Sequence, residues 1–406
     1  MGDDPAAAGW QKTLIVLFLG QLFSAVGFSV IFPFLPLYVK DLGAVSGLSI
    51  ELLAGLVFSA QAFTMMLASP IWGALADRYG RKLMVERAMF GGAVILLLMA
   101  FARSAEELVL LRAIQGLVTG TMSAANALAA SVAPRQRIGF AMGLLQVGMG
   151  SGIALGPLLG GVIADAYGYA AAFYLTAVLL FLAGVLVFWG VKEDFVRQKS
   201  ERRVGLVGEW RQVLGTAGIP MVYSMRFLSQ LGRMVIVPVA PLFIQTLLSD
   251  ASYLNTFTGL VVGVSSATTT LSAVFLGRLG DRLGHRRVVI GSALAAAALY
   301  ALQTFVAAGW QLLVLQALVG VAMGGIIPSI SALLASLSQA DHAGAVYGLD
   351  NAIDAGGRSV APLLGSLVAM SLNLRSVFAV TAVLFLITSL LAFWLPARAQ
   401  ETAPAA

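Results

Sequence analysis

The chain has 406 residues, of which 59% are hydrophobic and only 11% charged, with a formal net charge of +6. A soluble domain carries about 25% charged residues, so this chain cannot cover a soluble surface of its size. The absence of Cys excludes disulfides, thiolate metal sites and cysteine nucleophiles together.

In chain order, the N-terminus from Met1 to Trp10 lacks the basic stretch of a signal peptide. The apolar block after it is too long for a signal core, so it reads as a retained first span. Ala6 stands where N-myristoylation needs Ser or Thr. About 20 apolar residues cross a bilayer as a helix, and blocks of that length recur. The spacing predicts spans over 14–39, 51–71, 85–102, 106–130, 139–164, 170–191, 220–245, 255–277, 288–307, 311–336, 344–368 and 376–395. The alternating ten-residue segments of a membrane β-barrel are missing. The fold class expected is therefore an all-α polytopic membrane protein with twelve transmembrane helices. Residues 1–191 form one six-helix bundle, 192–219 a charged cytoplasmic linker and 220–406 a second bundle. His285 and His342 both fall in predicted loops, which leaves the bundle without a histidine metal site.

Basic residues concentrate in alternate loops, 18 on one side of the membrane against 3 on the other. The positive-inside rule then places both termini in the cytoplasm and requires an even number of spans. This distribution also accounts for the net charge without any nucleic-acid partner.

The two halves repeat. Gly73 to Lys82 recurs as Gly277 to Arg286, and Gly116 and Gly120 recur as Gly320 and Gly324, all at an offset of 204. At 205, Pro33 and Pro36 map to Pro238 and Pro241, Pro157 to Pro362 and Phe173 to Phe378. Six spans per repeat keep the copies in the same orientation, so their pseudo-two-fold axis runs along the membrane normal.

Three segments carry a family resemblance. Gly73-Ala-Leu-Ala-Asp77-Arg78-Tyr-Gly80-Arg81-Lys82 resembles the loop 2–3 signature of the major facilitator superfamily. Leu111-Arg112-Ala-Ile-Gln-Gly116-Leu-Val-Thr-Gly120 resembles the fourth-helix motif of its proton-coupled members. The run from Gly148 through Gly152, Gly156 and Pro157 to Gly160 and Gly161 resembles the fifth-helix motif of its antiporters. The first span, Phe28 to Val39 with Pro33 and Pro36, is similar to the MdtG-like branch of the twelve-span drug:proton antiporters. The resemblance implies an MFS fold, two bundles around a central cavity, and alternating access by rocking of one half against the other.

Gating roles follow from these segments. Glycines permit tight turns and close helix approach, and Asp77 can face a helix N-terminus or a basic residue as a latch. Arg78, Arg81 and Asp281 of the second copy share this reading, or else the basic residues only signal orientation. The small residues Gly152, Gly156 and Gly160, with the bend at Pro157, make the fifth span a packing and gating surface between halves.

Charges inside spans are functional candidates by default. Arg112 lies a turn or two inside the fourth span; the resemblance places it near the proton path, and the alternative is snorkelling toward Glu106 and Glu107 at the helix start. Its repeat partner is the neutral Gln316. Arg226, Gln230 and Arg233 share one face of the seventh span, and Asp350, Asp354 and Arg358 share one face of the eleventh, beside Asn351. Gly356-Gly357 is expected to interrupt that helix. Asp350 and Asp354 are the two carboxylates well inside a span. Competition between a proton and a neighbouring Arg for a poorly solvated carboxylate is a workable switch. Asp354 and Asp350 are thus candidate proton carriers with Arg358, Arg226 or Arg233 as alternating partners; the alternative is a static salt-bridge network. Gln21, Asn126 and Gln146 add hydrogen-bonding groups to a cavity whose intramembrane charges, four Arg against two Asp, lean basic.

The resulting expectation is a proton-coupled efflux antiporter for small amphiphilic compounds, neutral or anionic. It would work as a monomer in the inner membrane, with no cofactor and with the proton gradient as energy source. The alternatives are a specific carrier of an anionic metabolite and a lysolipid or lipid flippase. Nothing in the motifs supports an enzyme.

Overall fold

The computed structural model describes residues 5–120, 125, 128–129, 134, 137–191, 193, 206–338 and 343–395. Among them are fifteen α-helices and no strand. In order they are α1 Pro5–Val30, α2 Leu35–Leu42, α3 Ile50–Tyr79, α4 Arg81–Met99, α5 Ala105–Val118, α6 Ile138–Tyr167 and α7 Tyr169–Gly190. The remaining eight are α8 Leu206–Gly215, α9 Ile219–Val235, α10 Ala240–Leu247, α11 Leu254–Leu283, α12 His285–Gln303, α13 Gly309–Leu337, α14 Ala343–Ser371 and α15 Leu374–Trp394.

Seven of these are long and apolar enough to cross a bilayer: α1, α3, α6, α7, α11, α13 and α15. An eighth crossing is the bent pair α9 and α10, which turn by 42° at their junction. The four other predicted spans coincide with α4, α5, α12 and α14. The first, third and fourth of these carry charges (Arg81, Lys82, Glu86 and Arg87; Arg286 and Arg287; Asp350, Asp354 and Arg358), and α5 ends after 14 residues at Val118, where Thr119 turns extended, short of the predicted 106–130. Large apolar side chains such as Leu67, Ile71, Phe181, Leu271 and Phe275 stand more than half exposed. In water such surfaces would associate; in a bilayer they meet lipid.

Each predicted first span of a half proves to be two helices. Residues 31–34 separate α1 from α2, and residues 236–239 separate α9 from α10. Proline explains both breaks. Pro36 and Pro241 sit in the first turn of the second piece, where a missing N–H costs nothing, while Pro33 and Pro238 remove donors from the turn before.

The chain forms two compact units. The first comprises residues 1–53, 60–199 and 250–263; the second comprises 54–59, 200–249 and 264–406. In the first, α1 packs on α6 and α7, and α4 on α5 and α7. The rings of Tyr38 and Phe173 pack at a tilt with centroids 5.3 Å apart. In the second, α9 packs on α13, α14 and α15, and α12 on α13 and α15. There the repeat-related rings of Phe243 and Phe378 lie 4.8 Å apart, so the repeat extends to packing.

A short piece of helix is exchanged in each unit. Residues 54–59 of α3 belong with α14, where a Cβ at Gly55 would stand 2.8 Å from the Pro362 carbonyl oxygen. Residues 254–263 of α11 belong with α6, and Gly259 abuts the Pro157 carbonyl in the same way. Both contacts need glycine, because backbone occupies the place of the side chain.

The α14 helix differs from the expectation. It runs unbroken from Ala343 to Ser371 through Gly356-Gly357. The space a Cβ at Gly357 would take is bounded by Gln230, with Cγ at 3.0 Å and Cβ at 3.1 Å. That glycine buys close packing against α9 and breaks nothing.

Candidate functional site

The second unit brings the charged residues of α9 and α14 together. Arg226, Gln230 and Arg233 lie on one face of α9; Asp350, Asp354 and Arg358 lie on one face of α14. Arg226 Nη2 is 3.2 Å from Asp350 Oδ2, and its Nε is 3.8 Å from Asp354 Oδ1. Arg358 Nε donates to Asp354 Oδ2 at 2.8 Å, one turn away on the same helix. Gln230 is 2% exposed. Its amide orientation is set by its neighbours: the nitrogen donates to Asp354 Oδ1 at 3.2 Å and the oxygen accepts from Arg358 Nε at 3.1 Å. Tyr223 ties the same two helices by donating to the Val346 carbonyl at 2.9 Å.

Asp354 thus has two guanidinium groups and one amide around its two oxygens, while Asp350 has Arg226. Removing one member of a buried ion pair costs about 3–5 kcal/mol, because the other charge is left in a poorly solvated place. When a cation withdraws, a proton can neutralise the carboxylate it leaves behind. Asp350 is buried, Asp354 and Arg226 are partly buried, and Arg358 is exposed. Asn351 is exposed beside them. Arg233, also partly buried, has no carboxylate within 4 Å among the described residues.

The first unit holds the other intramembrane cation. Arg112 is 1% exposed, and its Nη1 donates to Gln115 Oε1 at 2.8 Å. The two nearby carboxylates are engaged elsewhere. Glu106 accepts from the Val45 and Ser46 N–H groups and from the Ser46 hydroxyl, and Glu107 accepts from the Arg103 N–H. Arg112 is therefore buried inside the first unit. Its repeat partner Gln316 donates to Gln303 at 3.1 Å. Gln21 is buried in α1, and Gln146 is exposed on α6. Asn126 and His342 lie outside the described residues.

The gating candidates divide. Gly80 adopts φ 99° and joins α3 to α4 in the tight turn that only glycine takes easily. Gly73 has nothing within 4 Å of its Cβ direction among the described residues, so close approach is not its role in this conformation. The side chain of Asp77 lies outside the described residues. Arg78 sits over the Tyr79 ring, and the Arg81 N–H donates to Glu193. Asp281 is 71% exposed on its side chain and lies 3.3 Å from His285 Nε2.

The fifth-helix glycines divide between two neighbouring helices. Spaced by four, Gly148, Gly152, Gly156 and Gly160 share one face of α6, and that face seats α1 of the same unit. A Cβ at Gly152 would stand 2.6 Å from Ala25 Cβ, and one at Gly160 would meet the Val30 backbone. Ser29 seals the contact by donating to the Gly152 carbonyl at 2.9 Å. Gly161 and Pro157 face the opposite way, onto Asn255 and Gly259 of α11.

Three residues with defined roles gave no signal in the sequence. Glu193 accepts from the Arg81 and Lys82 N–H groups at 3.0 and 2.8 Å, capping α4 from beyond the end of α7. Asp165 accepts from the Asn255 N–H (3.1 Å), the Asn255 amide (2.8 Å) and the Thr256 N–H (2.7 Å), capping α11. Arg87 stacks its guanidinium 3.3 Å from the centre of the Trp72 ring, a cation–π contact. Each partner is distant in sequence and follows no periodicity.

Comparisons with known proteins place the family and the fold. The profile of the Major Facilitator Superfamily matches residues 17–225 and again 222–406. The chain is 35% identical over 386 residues to the multidrug resistance protein MdtG of Salmonella typhimurium strain LT2, covering 94% of this chain and 95% of that one. It is 35% identical over 409 residues to MdtG of Serratia proteamaculans, covering 99% and 98%. Among solved structures, the nucleoside transporter NupG superposes with a TM-score of 0.79 at 14% identity, over 94% of this chain and 99% of that one.

Proposed function

Because this chain belongs to the major facilitator superfamily, we propose that it is a proton-coupled efflux antiporter for small amphiphilic compounds, neutral or anionic. The MdtG relatives, named for multidrug resistance and similar along nearly their whole length, favour efflux over the other readings. In this proposal the protein acts as a monomer in the inner membrane, with both termini in the cytoplasm. It needs no cofactor and draws its energy from the proton gradient.

The observation that carries the proposal is Asp354, held by Arg358, Gln230 and, at longer range, Arg226. A proton and these cations compete for the same carboxylate oxygens. In the substrate-loaded state Asp354 is ionised and held by Arg358, Gln230 and Arg226, which orders the cavity lining. When Asp354 takes a proton, those cations let go, the ordered lining is lost and substrate leaves, so proton and substrate exchange rather than travel together. Asp350, with its own hold on Arg226, is the second carrier in this scheme. Arg112 tunes the first half, where a buried cation next to Gln115 responds to the charge state of the path. Gln21, Gln146, Asn126 and Asn351 complete the polar lining.

The direction of the gradient tests the proposal. In proteoliposomes with an acidic lumen, protons leaving should drive amphiphile into the lumen; an alkaline lumen should not. Accumulation driven only by external acid would mean symport and overturn the antiport assignment. Transport confined to lipophilic cations would overturn the substrate range.

A further inference from the structure

We propose that the cavity between α9 and α14, lined by Tyr223, Ser224, Phe227, Leu228 and Ile353, takes the alkyl tail of the transported amphiphile. The inference rests on the efflux reading above and deepens it, naming where the apolar part of the substrate binds.

The two helices run side by side and touch at fixed points. At one end Tyr223 donates to the Val346 carbonyl at 2.9 Å, so a whole phenol side chain spans the gap. Further along, glycine removes the spacer. Gln230 Cγ lies 3.0 Å from where a Cβ at Gly357 would stand, and a Cβ at Gly365 would meet the Val235 carbonyl oxygen. The helices therefore converge from the first contact to the last. Phe227, Leu228 and Ile353 fall between the Tyr223 and Gly357 contacts, and their side chains do not fill the space there. A cavity of about 430 Å³ results, within the range of roughly 300–1,000 Å³ that small-molecule sites occupy. Ser224 is exposed, and Phe227, Leu228 and Ile353 are partly exposed, so the cavity is reachable from outside.

The lining selects an apolar guest. Both of its hydroxyl protons are already engaged, that of Tyr223 with Val346 and that of Ser224 with the Pro220 carbonyl at 2.9 Å. The other three side chains are hydrocarbon. Such a site holds water poorly, since an ordered water needs several polar partners, and it stays open to hydrocarbon. The next face of α9 makes the guest an amphiphile. Arg226 follows Tyr223 by one turn and adjoins Phe227, while Ile353 adjoins Asp354 and follows Asp350 by one turn. Arg226 holds Asp350 at 3.2 Å. A tail seated in the cavity thus brings its polar end to the ion cluster that the antiport scheme uses. Each methylene taken out of water raises affinity about fourfold, so the tail supplies binding and the cluster meets the head. An acyl chain of the bilayer has the same chemistry and is the rival occupant.

The test locates the tail. A 4-hexylbenzamide carrying a diazirine at its tail end is photolysed with the full-length protein in nanodiscs without a pH gradient, and labelled residues are read by mass spectrometry. A phosphatidylglycerol with a diazirine at the end of one acyl chain is the second probe. The benzamide should label residues 223–228 and 353, and excess unlabelled 4-hexylbenzamide should remove that label. Leu228→Trp, which fills the cavity, should abolish it. Leu228→Ala, which enlarges the cavity, should shift the best-labelling tail from hexyl towards octyl or decyl, and it decides the matter if Leu228→Trp does not fold. Benzamide label elsewhere, label that neither competitor nor Leu228→Trp reduces, or an unchanged tail preference in Leu228→Ala overturns the inference. So does a phospholipid probe that labels the cavity and is not displaced by the benzamide, since a bilayer chain would then be the occupant. The readout is binding without a gradient, so failure of proton drive would sink the antiport reading and leave this one standing.

Discussion

Gln230 fills the space that Gly357 leaves open: its Cγ lies 3.0 Å from where a Cβ at position 357 would stand. The two positions are 127 residues apart, yet that contact places the Gln230 amide between Asp354 and Arg358. A residue on α9 is thereby built into the ion pair of α14.

Gly357→Ala should therefore disturb function more than stability. Alanine gains up to about 1 kcal/mol of helix propensity over glycine, and overpacking costs about 1–3 kcal/mol, so the net change in melting should be small. The displaced amide should lower gradient-driven transport, measured against the unchanged thermal midpoint of the same preparation. Transport equal to wild type would show that Gln230 does not hold the pair in place.

The glycines of α3 and α6 should separate sharply. Gly160→Ala drives a methyl into the Val30 backbone, which cannot move without shifting α1; a loss of about 1–3 kcal/mol or more is expected. Gly73→Ala meets open space and should be neutral, or stabilising by up to about 1 kcal/mol. Melting curves of the two variants in one detergent check the contrast, and equal midpoints would contradict it.

Much of this is legible in the sequence. Pro33, Pro36, Pro238 and Pro241 stand out in the sequence as repeat partners, but periodicity alone predicts continuous spans over 14–39 and 220–245, and the breaks at 31–34 and 236–239 are seen only in the structure. Asp350, Asp354 and Arg358 share a face by simple helical spacing, as do Arg226, Gln230 and Arg233. What stayed hidden depends on partners far away in sequence. Gly356-Gly357 reads as a helix break until Gln230 is found against it. Gly73 and Gly160 look alike in the chain, and only the neighbouring helix distinguishes them. Asp165 and Glu193 sit at ordinary helix ends, and nothing in the sequence shows that each caps another helix.

Those two caps have a direct readout. Asp165→Ala removes the acceptor for the Asn255 and Thr256 N–H groups, and Glu193→Ala does the same for Arg81 and Lys82. Losing a side-chain cap costs about 0.5–2 kcal/mol. Amide hydrogen exchange should speed up about tenfold for each 1.4 kcal/mol of local stability lost. The acceleration should be confined to the start of α11 in the first variant and of α4 in the second. Exchange unchanged at those amides would mean that the carboxylates do not cap them.

The central claim is that Asp354 exchanges a proton in competition with its cationic partners. Asp354→Asn keeps the shape of the side chain and removes its titration. In proteoliposomes, this variant should lose accumulation driven by an acidic lumen while retaining exchange of substrate for substrate. Full gradient-driven accumulation by Asp354→Asn would contradict the claim outright.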